Sequence, residues 1–544
     1  MPGPVRGRSA QRATAAGRIT FYWGLKRHDS QAATFARAVS NPSSRSYRRF
    51  LSSKAAAQQL GASGATVKTI KKYLAGKHLR GVVDKSRLFL RVKGSVGQFN
   101  RAFHRPIRTA VEGGFRFWVP QRIPRVPTRI GKLAPDRIWL SQRQTGGSRS
   151  AATGLPRQAR SGTPPTNEGT VVGCAKIRNT PDSAYFMSFG QGAKAYGIDS
   201  LRGRSNASTR GDIRTRPPIG VIAQGSGYSN AFVREARACL GFNASAHRVE
   251  TDGVRQLASG DEGNLDVQMV LGTLARRYRV PVFESTGAMT NFLAPVAALD
   301  STAPPQVLTN SYGQCEREVT PPARRLTESV YLRLALIGTS VLVASGDRGS
   351  SGCINNETGQ GPTGRAVSYP SSSPWVTAVG GTRIVLNKAN HRVAEYAWND
   401  SPWGNETAGG GGSSILFGRP NWQSKNETHT NRRSVPDLSA HASGAPGWLV
   451  FGVGVVSGTS AATPLVASGV ALLNEELARK GQAPMGPLNP WLYQLPRRAT
   501  FDITKGNTDL HNNGCCTARK GYDQATGIGS PNFSTWRGLV RKVR

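Results

Sequence analysis

Residues 307–347, VLTNSYGQCEREVTPPARRLTESVYLRLALIGTSVLVASGD, set the architecture of the larger part of this chain. A short apolar run (Val307 to Tyr312) precedes a helical pattern (Leu326 to Gly338), and a second apolar run (Ser340 to Ser345) ends at Asp347. Apolar runs without polar alternation are strands buried on both faces, and a helix between two of them is the crossover of a parallel sheet. The alternation continues outward: Ile219 to Ala223 reads as a strand, Asp261 to Tyr278 as a helix and Pro281 to Phe283 as a strand. Residues 173–544 are therefore expected to form one large α/β domain, a parallel sheet flanked by helices.

The first third reads differently. Ile19 to Leu25, Arg87 to Val92 and Phe115 to Val119 have strand composition. Ser30 to Val39, stopped by Asn41-Pro42, and the amphipathic Thr66 to Leu79 have helical spacing. A separate α+β domain over residues 19–143 is expected, after a basic tail (1–18) that lacks the apolar core of a secretion signal. The linker expected at 144–172 contains Gln144 to Thr170, a Gly, Ser, Pro and Arg tract suited to cleavage.

At 544 residues the chain exceeds what one hydrophobic core supports. Its longest apolar stretch, Trp448 to Val456, is far short of the roughly 20 residues that span a bilayer, so no membrane partner is expected. The net charge of +41 invites a nucleic-acid reading. However, residues 1–170 hold 33 basic and 5 acidic side chains, so the excess sits in the first third, and no nucleic-acid-binding motif accompanies it. A catalytically inactive, peptidase-like protein binding nucleic acid or another polyanion is the alternative that charge alone supports. Six cysteines without C-x-x-C spacing (Cys174, Cys239, Cys315, Cys353, Cys515, Cys516) suggest disulfides rather than zinc.

Three short segments carry chemistry. Ser457-Gly458-Thr459-Ser460 precedes the apolar helix Leu465 to Leu477, which places Ser460 at a helix N-terminus among small neighbours, where developing negative charge is favoured. No histidine is followed by glycine, so a nucleophilic Ser460 needs another base. Glu262 and Asp266 stand four apart on one helix face, where they repel unless they share a proton, and the shared proton raises the pKa of one into the range of a base. Asp347 ends a buried strand, where open α/β sheets place their ligands, and when protonated it donates to an oxyanion. The plain alternatives are a capping serine, an acidic helix start and a loop-capping aspartate.

Glu262-x-x-x-Asp266, Ser345-Gly346-Asp347 and Ser457-Gly458-Thr459-Ser460 resemble, in order and context, the motifs of the sedolisins, the serine-carboxyl peptidases. Asn310 to Gly313, Tyr369 to Pro374, Val379 to Thr382, Pro436-Asp437 and Gly521 to Asp523 are similar to segments of the family's tripeptidyl-peptidase and pro-kumamolisin-type members. Residues 19–140 resemble the family's propeptide. The resemblance implies a subtilisin-like catalytic domain behind a ferredoxin-like, antiparallel propeptide, made as a self-processing, acid-acting, secreted or lumenal zymogen. It implies Ser460 as nucleophile, Glu262 as general base, Asp266 as the carboxylate that orients and tunes it, and Asp347 as oxyanion donor. Polypeptide substrates would pair with two edges, Ser311-Tyr312-Gly313 and Gly410-Gly411-Gly412. One calcium ion is implied at Asp502, Ile503, Arg519, Gly521 and Asp523, although the family usually has glycine where Arg519 stands. Cys353 would bridge to Cys515 or Cys516, with Cys315 as a competing partner. The implied protein is a monomer whose propeptide is its own inhibitor. Acidification would weaken attraction between a basic propeptide and carboxylates of the catalytic domain. Endopeptidase and tripeptidyl-peptidase activity are equally compatible with these motifs.

Overall fold

The computed structural model describes residues 17–541 apart from 105, 113–114, 121–124, 142–167, 180–183, 203–215, 252–255, 286–291 and 357–358. Nearly all of the expected linker tract lies outside the described residues. The strand Ser340–Ala344 is central to an eight-stranded sheet. From one edge the order is Arg392–Ala397, Thr377–Leu386, Ser340–Ala344, Val307–Asn310, Ile219–Gln224, Arg279–Ser285 and Ser245–Glu250, and Leu438–His441 also pairs with Thr377–Leu386. All pairings are parallel except Thr377–Leu386 with Arg392–Ala397, an antiparallel hairpin at the edge, so the expected parallel sheet is in fact mixed.

Both faces of the sheet are covered, as continuous apolar runs require. Val221, Val307 and Leu342 face the helices Asp261–Leu274 and Thr459–Ala478, whereas Ile222, Leu308, Val341 and Val343 face Leu293–Asp300 and Pro321–Leu336. Two helix boundaries depart from expectation for local reasons. The Pro321–Leu336 helix starts earlier, because prolines at its first two positions need no N–H partner. The Asp261–Leu274 helix stops before Tyr278, because Ala275 takes a left-handed C-cap.

The N-terminal domain is an antiparallel sheet in the order Arg80–Val83, Phe89–Ser95, Arg18–Gly24, Asp136–Ser141. Its central strand is buried on both sides: Phe21 and Trp23 meet the domain's own helices, while Tyr22 packs on Phe292 with ring centroids 5.3 Å apart. The Asp29–Ser40 helix lies against Pro321–Leu336. Sequence reading missed the helix Ser53–Leu60, whose small alanine face gives little periodic signal, and the helix Val96–Phe103, although its Ser95/Gln98 capping box and the spacing of Val96, Phe99, Ala102 and Phe103 could have found it. The Ile107–Glu112 strand, paired with Phe115–Pro120, was also missed.

The charges across the seam between domains run both ways: Lys85 and Arg91 of the N-terminal domain act on Asp300 of the large one, as expected, but the close ion pairs are reversed. Arg325 of the large domain pairs with Asp136 (2.7 Å), and Arg333 approaches Asp29 (3.7 Å). Among the described residues, the cross-seam ion pairs thus place arginine on the large domain and aspartate on the basic N-terminal one.

Candidate active site

Ser460 opens the buried Thr459–Ala478 helix. The turn into it depends on Gly458, which has φ +135 and whose missing Cβ would lie 3.1 Å from an Asp347 oxygen. Pro464 lacks the N–H that would bond the Ser460 carbonyl in the next turn, and the Ser311 Oγ lies 3.3 Å from that carbonyl.

Glu262 lies in the first turn of Asp261–Leu274 and hydrogen-bonds Ser460. Recession of its carboxyl from water pushes its pKa up to about 8; the Ser460 bond opposes this, and the charges of Asp347 and Asp261 add to it. One turn on, Asp266 is completely buried, and burial followed by the charge of Glu262 holds its carboxyl well above the usual range. The Ser311 hydroxyl donates to Asp266 Oδ1 at 2.6 Å, while Oδ2 has no partner among the described residues. Two carboxyls so placed favour holding a single proton over carrying two charges.

Asp347 follows the Ser340–Ala344 strand, as open α/β sheets favour. The Thr459 N–H (2.8 Å) and hydroxyl (2.7 Å) both donate to its Oδ1. Burial raises its pKa against those two bonds. Asp347 and Ser460 line one cavity of about 320 Å³, together with Ser311, Gly313, Arg348 and Glu318. The structure thus brings Ser460, Glu262, Asp266 and Asp347 together from two helices and one strand end.

The two expected substrate edges are less alike than the sequence suggested. Gly313 is exposed beside the cavity, Tyr312 turns its N–H to Asn310 Oδ1 (3.0 Å), and the Ser311 side chain serves Asp266. Gly410, Gly411 and Gly412 are buried rather than a loose loop. Gly410 donates to Gly346 O (2.7 Å), and a Cβ there would overlap the Ser345 carbonyl. Gly412 pairs with Val435 in a short antiparallel ladder.

The expected metal ligands also converge. Asp502 accepts from the Gly521 N–H (2.9 Å), and Asp523 accepts from Arg519, Ala525 and Thr526 N–H. Asp523 is 1% exposed and makes no ion pair among the described residues. These backbone bonds bring Asp502 to Gly521 and Asp523 to Arg519, and carboxylate and carbonyl oxygens are the donors that a hard cation such as calcium takes. Of the partners left open for Cys353, the structure takes Cys315 rather than Cys515 or Cys516; those two are joined to each other, and Cys174 pairs with Cys239.

Sequence reading missed Thr459, which holds Asp347 by two bonds, and the service of Ser311 to Asp266. Tyr312 was missed as a neighbour of the carboxyl pair; its phenol is pushed up by burial and by the charges of Asp266 and Glu262. Each depends on contacts across more than 40 positions, which no local pattern carries.

Residues 6–133 match the family model described as the pro-kumamolisin activation domain, and residues 284–488 match the subtilase family. Kumamolisin of Bacillus sp. (strain MN-32) is 35% identical over 333 residues, 58% of each chain. Tripeptidyl-peptidase 1 of Bos taurus is 31% identical over 307 residues, 51% of each. The chain spans between half and three-fifths of the length of these curated relatives. A solved structure of Pseudomonas sedolisin, described as a serine-carboxyl proteinase complexed with two molecules of pseudo-iodotyrostatin, is 24% identical. It covers 65% of this chain and 98% of its own, with a TM-score of 0.55, and this likeness carries the fold.

Proposed function

From a chain that joins a pro-kumamolisin activation domain to a subtilase-family domain and is a homologue of kumamolisin and tripeptidyl-peptidase 1, we propose a self-processing serine-carboxyl peptidase zymogen. The observation that carries this reading is the hydrogen bond between Ser460 and Glu262, in a site where burial keeps protons on the carboxyls. Glu262 works as base in the state where the pair holds one proton, on Asp266: unprotonated, it takes the hydroxyl proton as Ser460 attacks the substrate carbonyl. Asp266 keeps the pair's proton and orients Glu262, and protonated Asp347 donates to the oxyanion. Glu262 then returns its proton to the leaving amine, and water repeats the sequence on the acyl-enzyme.

Acid favours this arrangement because Asp347 donates only while protonated, so the enzyme fits a secreted or lumenal acidic compartment. Residues 19–143 act as propeptide and residues 173–544 as catalytic domain. A calcium ion held by Asp502, Asp523 and the carbonyls of Ile503, Arg519 and Gly521 would brace the C-terminal loops.

The test is acid incubation of the chain with an unfolded protein, beside Ser460→Ala and Glu262→Ala. Shortening of the chain and proteolysis confined to acid, both lost in each variant, are expected. Product lengths then separate internal cleavage from removal of tripeptides. Activity that persists in Ser460→Ala would overturn the assignment.

A further inference from the structure

The seam between the domains contains a cavity of about 680 Å³ with a one-sided lining. Lys54, Lys85 and Arg87 come from the N-terminal domain, Arg216 and Arg333 come from the large one, and no carboxylate among the described residues lines it. Arg333 is the decisive residue. It is 1% exposed, and its Nη2 donates to the Leu60 carbonyl and lies 3.7 Å from Asp29. Its Nε and Nη1 are buried with no partner among the described residues. A buried guanidinium with two idle donors costs free energy unless an acceptor is supplied.

Two further features face the same space. The Ser53–Leu60 helix presents its first turn, with Ser52, Ser53 and Lys54 on the cavity wall, and first-turn N–H groups favour anions. Arg216 is fixed by the carbonyls of Pro304, Pro305 and Ile337, neutral acceptors that leave its charge in place. The nearby carboxyls Asp84 and Asp300 are turned to the Ser86 hydroxyl and Ser86 N–H and are absent from the lining.

We propose that this cavity binds a multiply charged inorganic oxyanion of the sulfate or phosphate class, which ties the N-terminal domain to the large domain. The anion accepts from Arg333 at the back, from Lys54 and the helix turn on one side, and from Lys85 and Arg87 on the other. Release of the N-terminal domain opens the cavity and discards the site, so a bound anion holds the two domains together. The consequence for maturation rests on the zymogen reading above; the binding itself does not.

Inorganic sulfate is the probe, because it keeps both charges across the acid range. Calorimetric titration and thermal unfolding use the full-length Ser460→Ala chain, with sodium chloride at matched ionic strength as the reference. The expected result is saturable binding with a raised midpoint, weakened tenfold or more in Lys85→Ala/Arg87→Ala, whose side chains lie at the outer wall. In the wild-type chain, sulfate is expected to slow self-shortening several-fold at concentrations where the double variant is unaffected. No saturable binding, or equal binding to the double variant, overturns the proposal. A wild-type chain that never shortens defeats the peptidase reading instead and leaves the binding result standing.

Discussion

Replacing Glu262 by glutamine tests the protonation account of the site apart from catalysis. The glutamate has a pKa of about 8 in the folded protein against an ordinary 4.5, so folding favours its protonated form. Its stabilising contribution is complete below the ordinary value and is lost as pH rises through about 8. At about 1.4 kcal/mol per unit, ionising it costs the folded state on the order of 4 kcal/mol by pH 8. Ser460→Ala keeps this carboxyl and removes a hydrogen bond that lowers its pKa, so it makes an inactive reference with the liability intact. Glutamine has no such proton to lose. Thermal midpoints of Glu262→Gln and Ser460→Ala should therefore be closest near pH 4 and separate progressively toward pH 8. With about 2 °C per kcal/mol, the low end of the range for large domains, the gap should approach roughly 8 °C in favour of Glu262→Gln. Curves that stay parallel across this range would refute the claim that burial keeps Glu262 protonated.

Three other outcomes follow from the same contacts. Asp347→Asn keeps an acceptor for Thr459 and an N–H that needs no acid, so the alkaline limb of the activity profile should move upward. The peak rate should fall by less than the ~10²–10³-fold cost of losing an oxyanion donor, as read from kcat over pH. Asp136→Asn removes the charge that faces Arg325 and Arg27 at the seam, together with one of its two acceptor oxygens, and should lower the stability of full-length Ser460→Ala by about 1–3 kcal/mol in a salt-sensitive way, measured by unfolding. A calcium chelator should lower the thermal midpoint of the wild type, reflecting a loss of about 2.7 kcal/mol of stability if the metal had been at a hundred times its Kd, and leave Asp502→Asn/Asp523→Asn unmoved.

Local pattern made the sheet and its helices legible, because Val307–Asn310 and Ser340–Ala344 are apolar at every face-alternating position but one or two polar ends. The spacing of Glu262 and Asp266 likewise placed them on one helix face. What stayed hidden is non-local. Ser311 reads as a residue of a substrate edge, yet its hydroxyl spans Asp266 and the carbonyl freed by Pro464, a link made only when strand end and helix start meet. Gly410–Gly412 reads as a substrate edge, and its burial stays hidden because glycine carries no side chain to signal that Ser345 and Val435 press against it. Cysteine pairing is equally silent, since it depends on which loops the fold brings within reach.

The polarity of the seam follows from the same limit and changes the account of acid activation. Charge totals put cations on the N-terminal domain, but totals do not say which side chains face the partner. At the seam Asp29 and Asp136 face Arg333 and Arg325, so part of the attraction has the reverse polarity. A second group responds to acid. Asp84 and Asp300 face each other across the seam, burial raises both, and Asp300 reaches about 6 despite the Ser86 and Lys85 backbone bonds and the charges of Lys85 and Arg91. A raised carboxyl stabilises below its ordinary pKa and loses that contribution as pH rises through about 6, so acid strengthens this patch. In the proposed zymogen acid therefore does not loosen this patch as it readies the catalytic carboxyls, and cutting the connection between the domains is the step expected to make separation irreversible.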